Sequence, residues 1–315
     1  MVMRSVSLTL LVGPSLVLLA AAGTARAEDI AGPIAVTKTI FEDSQLVGDV
    51  TCTTTLSACI EFGASHIKLR LNGFAITGLA EPDNPASPNS CPTVQPANED
   101  GIRIVNQIQT QVVGPGIVQR FRRHGIFILG TAGISSNVTV RHITSNHNCF
   151  SGLLTNGMSD SVIEDMVSIK NASNSGNSPC GGNCLVNSHN NRIRRNQFSG
   201  NGAVGPPSND FGMGLIGNSS NNVIEDNSIG GNINGLLIQA NAVDNVIRRN
   251  VIVGNPPSQI SRLFGALIGF DIKDESAAPD SGSRNTFERN WCVTYSGPGP
   301  APCPNLPGPG PTDNR

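Results

Sequence analysis

A six-residue segment built around one fixed aliphatic position recurs along the chain and limits the fold more than any other feature. NVTVRH from Asn137, SVIEDM from Ser161, NRIRRN from Asn191, NVIEDN from Asn222, NVIRRN from Asn245 and NTFERN from Asn285 align without gaps. Weaker copies, IKLRLN from Ile67 and TQVVGP from Thr110, precede them. Successive copies stand 43, 27, 24, 30, 31, 23 and 40 residues apart. A floor near 23 with variable excess describes a constant coil carrying loops of different length.

Each full copy holds three apolar runs. A glycine or asparagine opens the first, as in GIFIL from Gly125, GLLTN from Gly152, NCLVN from Asn183 and GLLIQ from Gly235. The aligned segment is the second, and a short run such as NSIGG from Asn227 is the third. The runs alternate over too few residues for a helix and fit strands. Three short strands per coil predict an all-β chain, a single-stranded right-handed parallel β-helix of about eight coils. The low aromatic content, one Trp and one Tyr, agrees with a core of small aliphatic rungs.

Position six of the segment (Asn72, Asn196, Asn227, Asn250, Asn290) sits between the second and third strands. Asparagine there is expected to supply both a left-handed corner and an amide ladder from coil to coil. Position four alternates in sign, Glu164, Arg194, Glu225, Arg248, Glu288, which predicts a ladder of cross-strand ion pairs.

Residues 1–27 read as an export signal: one basic residue, an apolar run from Leu8 to Ala22, and Ala25-Arg26-Ala27 before the cut. Residues 28–66 lack the repeat and are expected to cap the coil, residues 67–292 to form it, and the Pro/Gly-rich residues 293–315 to be a tail. Eight cysteines fit an oxidising, secreted or periplasmic location. Cys149 and Cys180 come into disulfide range if adjacent coils stack, with Cys180/Cys184 as the rival pairing, and Cys292 and Cys303 could tie the tail back. A near-neutral chain with net charge −2 argues against nucleic acid and membrane as partners, and a monomer is expected.

Loop excess falls mostly between the third strand and the next first strand, so the first-strand sheet is expected to carry a binding groove. Asn156, Asn187, Asn218 and Gln239 would form an amide row along it, able to bind sugar hydroxyls. Proton abstraction beside a uronate carboxylate needs a base and a neutralising cation; His124 or His147 with Arg103 and Arg122 could supply them. Glycoside hydrolysis needs two carboxylates, for which Asp271 with Asp210 or Asp274 is the candidate, beside Lys273. The histidines lack metal-ligand spacing, and no C-x-x-C pair occurs.

The repeats, together with IKLRLNGFAITG at 67–78, resemble the superfamily of secreted parallel β-helix repeat proteins. It includes carbohydrate-binding and sugar-hydrolase-type β-helices, polysaccharide lyases, alginate C5-epimerases and a periplasmic copper-associated accessory protein. The resemblance covers about residues 60–292 and implies a fold, not an activity. The Asp-Pro-His-Asp motif of the epimerases is absent, as is the acidic cluster of the calcium-dependent lyases, so no catalytic residue carries over. No cofactor is expected; calcium, which relatives hold, has no motif here. The functional expectation is an exported protein that engages a polysaccharide, with lyase or epimerase chemistry if it is an enzyme. A non-catalytic scaffold or binding protein is the alternative, and a metal-trafficking accessory comes third.

Overall fold

The computed structural model describes residues 26–92, 96, 98–131, 135–172, 180–202, 211–255, 269–276, 284–298 and 302–303. All regular elements among them are short strands apart from one 3₁₀ residue, and every strand pairing is parallel. The first strands stack into a ten-stranded sheet from Lys38–Ile40 through Ile126–Leu129 and Asn234–Ile238 to Tyr295–Ser296. The second strands (Val162–Glu164, Arg192–Arg194, Val223–Glu225, Val246–Arg248, Thr286–Glu288) and the third strands form the other two faces. Upstream, Ser44–Cys52, Gln111–Gln119 and Thr139–Asn146 run through both of those faces without a break. This is the expected parallel β-helix.

Its core is a column of aliphatic rungs. Val140, Ile163, Ile193, Ile224 and Ile247 occupy one register, all fully buried. Register corrects the sequence alignment in one copy. Val140 and not Thr139 pairs with Ile163, so that copy starts at Val138, one residue later than the unshifted motif placed it. The expected cap is also different in kind: Glu28–Ile34 pairs with Ser44–Cys52, which pairs onward with Lys68–Arg70 and Ala75–Thr77. Residues 28–62 therefore add turns to the same helix, and Pro33, which has no N–H to donate, lies on its first strand. At the other end Tyr295–Ser296 still pairs with Ile272–Lys273, inside the segment expected as tail.

The corners are built from two residues with separate tasks. Asp165, Arg195, Asp226, Arg249 and Arg289 carry the left-handed backbone, with φ between 52° and 56°. The ladder residue follows it: Asn196, Asn227, Asn250 and Asn290 point inward and are buried. So the left-handed turn belongs to position five and only the ladder to position six. Asn72 does carry both positive φ and a ladder bond. In the ladder, Asn227 Oδ1 accepts the Asn196 backbone N–H at 3.0 Å and its Nδ2 at 3.0 Å, while Asn227 Nδ2 donates to Ile193 O at 2.9 Å and Asn250 Oδ1 at 2.9 Å. Two further ladders do the same at the other corners: Asn191, Asn222, Asn245, Asn285, and Asn148, Asn171, Asn201, Asn232, Asn255. Each amide stands in for the strand partner that a bent backbone has lost.

The expected charge ladder forms in part, with no ion pair between Arg194 and Glu225 or between Arg248 and Glu288 among the described residues, and a second row runs beside it. Arg194 pairs with Glu164 and Arg248 with Glu225, while Arg195 and Arg249 grip Asp165 and Asp226 at 2.8 Å. Glu225 is not a surface pair member: its side chain is 1% exposed and Arg192, Arg248 and Arg249 all bind it. Burial opposes its ionisation, but the bonds from Arg248 and Arg192 outweigh that and hold its carboxyl below the usual range.

The disulfides are Cys52–Cys59, Cys91–Cys149, Cys180–Cys184 and Cys292–Cys303. The Cys149/Cys180 pairing does not occur. A register shift between Cys180 and Asn183 lifts Cys180 onto the outer face of its own strand, where it meets Cys184 and leaves no room for a side chain at Gly214.

Asn183 breaks the core pattern. It shares a column with Leu153 and Met213, is fully buried, and neither amide atom has a hydrogen-bond partner among the described residues. Opposite outcomes follow for two buried asparagines. Asn227→Leu strands buried partners and should destabilise the protein by about 3 kcal/mol, whereas Asn183→Leu should stabilise it by about 1–2 kcal/mol. Urea unfolding of both variants checks the pair; shifts of the same sign would refute this account of the ladder.

Candidate functional site

Most of the loops expected to wall a groove on the first-strand sheet (residues 173–179, 203–210 and 256–268) lie outside the described residues. The outward column there is Arg103, Phe127, Leu154, Cys184, Gly214, Leu237 and Lys273, and Phe127 and Leu237 are each only 5% exposed. The amide row does not form one register either. Asn156 pairs with Val186, and Val186 with Ile216, while Asn187 and Asn218 lie beyond their strands in the corner. Asn187 still reaches Asn156 Oδ1 at 3.5 Å and accepts the Asn218 N–H at 3.0 Å, and Gln239 accepts the Gly217 N–H at 2.9 Å. These amides mostly satisfy one another and the turn backbone.

Of the carboxylate cluster, Asp210 lies outside the described residues. Asp271 is buried and ends the Asn255 ladder, accepting from Asn255 Nδ2 at 2.9 Å and from the Val293 N–H at 2.8 Å. Asp274 is buried on the inward face, and Lys273 pairs outward with Glu275 at 2.6 Å. Asp271 and Asp274 are bound into the last rungs and do not face one another across a cleft.

The basic end is where polar groups converge, in two neighbourhoods. The first is internal. His124 is fully buried, stacked on Phe127 with centroids 5.7 Å apart. Arg103 and Arg123 lie over the same Phe127 ring at 5.7 and 4.4 Å. His124 Nδ1 accepts the Ser151 N–H at 3.1 Å, its own N–H donates to Asp100 at 3.3 Å, and Asp100 pairs with Arg123 at 3.0 Å. Burial holds His124 well below the ordinary histidine value, with the Arg123 charge adding to it. Burial also pushes Asp100 up to about 6 against the pull of Arg123. With no exposed atom, His124 cannot serve as base to a surface-bound polymer; Arg103 shares its ring, not a substrate position.

The second neighbourhood opens to solvent. The loop after Thr77 leaves the third strand, crosses over the corner and is fastened to the coil of His147 by Cys91–Cys149. Asp83 on this loop stands 3.4 Å from His147 Nε2. Burial lowers the His147 value; Asp83 opposes this, while Lys170 and Arg120 add to it. One cleft, of about 70 Å³, is lined by Thr54, Thr55, Asn89, Glu99, Arg120 and Arg122. A second, of about 190 Å³, is lined by Glu81, Asp83, Asn84 and Arg120. Arg120 borders both and has no ion-pair partner among the described residues. Arg122 stands 3.6 Å from Glu99, and its Nε has no hydrogen-bond partner among the described residues. Arg122 thus lines the first cleft with Arg120 and Glu99, His147 meets Asp83 of the second, and His124 and Arg103 stand around Phe127 instead. Arg120 was legible as a corner residue in RFRRHG; Asp83 was not, because nothing in a loop sequence says which coil it folds onto.

His124 and Asp100 act on stability with opposite sign. His124 stays neutral when folded, so its contribution is lost as pH falls below about 6.5, where the unfolded chain takes up the proton. Asp100 binds a proton in the folded protein from about 6 downward, ahead of the unfolded value of 3.8, so stability rises as pH falls through that window. The two slopes oppose each other. Asp100→Asn should expose the histidine slope, an added loss of about 1.4 kcal/mol per pH unit below about pH 6 relative to wild type. Urea unfolding across pH checks this, and a variant slope equal to that of wild type would contradict it.

Comparison with known proteins gives relatives of fold. Tailspike protein 2 of the Escherichia coli O157:H7 bacteriophage CAB120 superposes with a TM-score of 0.51 at 12% identity, over 85% of this chain and 37% of that one. The Dettilon tailspike protein gives 0.52 at 13% identity, over 84% and 54%. The A-module of a mannuronan C-5 epimerase from Azotobacter vinelandii gives 0.46 at 14% identity, over 85% and 86%. The chain spans between about a third and a half of the two tailspikes. Among the curated proteins no sequence matches. The sequence profile of a family described as periplasmic copper-binding protein (NosD) matches residues 84–291. The donors here do not fit copper, which takes thiolate, thioether or imidazole ligands. All eight cysteines are in disulfides, Met158, Met166 and Met213 are buried in the core or at its corners, and no group of three His, Cys, Asp or Glu among the described residues could hold a metal. The match runs over well over half of the chain and through the coils that carry the asparagine ladders: the chain belongs to the NosD family of periplasmic proteins.

Proposed function

We propose that this protein is a periplasmic saccharide-binding β-helix whose site is the pair of clefts meeting at Arg120, and that its ligand is acidic. The observation that carries this reading is an exposed arginine, free of ion pairs among the described residues, between two clefts whose lining includes hydroxyl, amide and carboxylate groups beside Leu79, Phe121 and Arg122. Thr54, Thr55, Asn84 and Asn89 are suited to sugar hydroxyls, and Arg120 to a carboxylate. Charges on both sides of the mouth favour a hydroxyl-rich monoanion over a phosphate-dense polymer.

The His147–Asp83 pair favours a second reading, in which the same site also abstracts a proton. A histidine held neutral near pH 7 beside an arginine that neutralises a uronate carboxylate has the parts for lyase or epimerase chemistry. Here Arg120 takes the neutralising part first expected of Arg103.

Calorimetric titration with a panel of uronate oligosaccharides, run beside an assay for unsaturated or epimerised product, tests both. Arg120→Ala should weaken binding about 10- to 100-fold, the range of one charged hydrogen bond, while Arg249→Ala on the remote ion-pair face should leave it unchanged. His147→Gln should retain binding and abolish any product formed. Equal loss in the two arginine variants would overturn the binding site. Wild-type protein that binds yet forms no product leaves binding as the function.

A further inference from the structure

The clefts at Arg120 are flanked by two disulfide-fastened loops, and their size bears on how much ligand they take. On one side stands the loop closed by Cys52–Cys59, which contributes Thr54 and Thr55. Its Leu56 is held at φ 56°, a conformation that costs a branched L-residue about 1–2 kcal/mol. What holds it is the Leu56 N–H, which donates at 3.1 Å to Glu99, itself buried and part of the cleft lining. Strain kept in place by a lining residue marks a wall whose shape is fixed before any ligand arrives. On the other side the loop bearing Glu81 and Asp83 is tied down by Cys91–Cys149. Leu56, 67% exposed, and Leu79, 44% exposed, stand beside this mouth as apolar surface.

The volumes agree with a short ligand. Clefts of about 70 and 190 Å³ lie below the roughly 300–1,000 Å³ that hold drug-sized molecules. Further along the axis, the outward column Phe127, Leu154, Cys184, Gly214 and Leu237 of the first-strand sheet presents no polar side chain to a sugar.

Resting on the saccharide reading of this site, we infer that the protein recognises one or two terminal residues of an acidic glycan, or a free acidic mono- or disaccharide, and not the interior of a long chain. The carboxylate lies at Arg120, and an apolar sugar face or acyl substituent packs on Leu56 and Leu79. The exposed leucines contribute selectivity, since bare hydroxyl faces gain little from them.

Titrating the mature protein with oligouronates of one to six residues tests this directly. Affinity should reach its plateau at the disaccharide, with less than a threefold change from two residues to six, and reduction of the ligand's terminal carboxylate to an alcohol should weaken binding at least tenfold. Leu56→Gly, which relieves the left-handed strain, should leave stability intact and lower affinity. Affinity that climbs more than tenfold between two and six residues would overturn chain-end recognition while leaving the Arg120 site standing. Absence of binding at every length would overturn both.

Discussion

Everything in this molecule depends on how the chain satisfies its backbone where it bends. A coil of three short strands must turn three times in little more than 23 residues, and each turn removes an N–H and a C=O from the strand ladder. The solution is a pair of adjacent residues. One adopts the left-handed backbone and the next turns an amide inward to replace the missing partner. Asn190 with Asn191, Asp226 with Asn227, and Gly231 with Asn232 are three corners of this design. Because Asn227 binds both its predecessor Asn196 and its successor Asn250, every coil holds the next in register.

That regularity confines variation to places where it does no harm. The ion-pair rows of Glu164, Arg194, Glu225 and Arg248 decorate a face that has no freedom to change shape. Long insertions enter after the third strand, and the described one folds back across its corner, placing Asp83 by His147 and forming the mouth at Arg120. The left-handed residue of that corner column is Arg120 in one coil, His147 in the next and Lys170 in the one after. A position selected for backbone geometry thus lines three basic side chains along one edge, where the insertion can meet them.

The fold was legible because its signal is repetitive. Ile163, Ile193, Ile224 and Ile247 recur at one position, and the charge alternation beside them survives in the structure. Register was less legible. The copy at Asn137 slipped by one because Asn137 mimics the leading asparagine of the other copies and puts Thr139 in the rung, whereas pairing with Ile163 puts Val140 there. The row Asn156, Asn187, Asn218 failed for a related reason: Asn183 and Gly214 looked like leading residues, but Asn183 pairs with Leu153 and Met213, so Gly182 and Gly212 match Gly152. The site was least legible. His124 and Arg103 do lie near one another, but around the Phe127 ring, and His124 is fully buried there, which no local pattern announces. Asp83 and Glu99 owe their positions to disulfides and to contacts 43 or more residues away in sequence.

Hydrogen–deuterium exchange of the mature protein, with and without a diuronate, tests the central claim that this rigid coil carries its ligand at the inserted corner and not along a sheet. The account predicts added protection confined to residues 52–59, 79–92 and 120–122, with no change across Arg192–Arg194 and Val246–Arg248. Protection spread along the first-strand sheet from Leu153–Asn156 to Asn234–Ile238, with none at the corner, would contradict it.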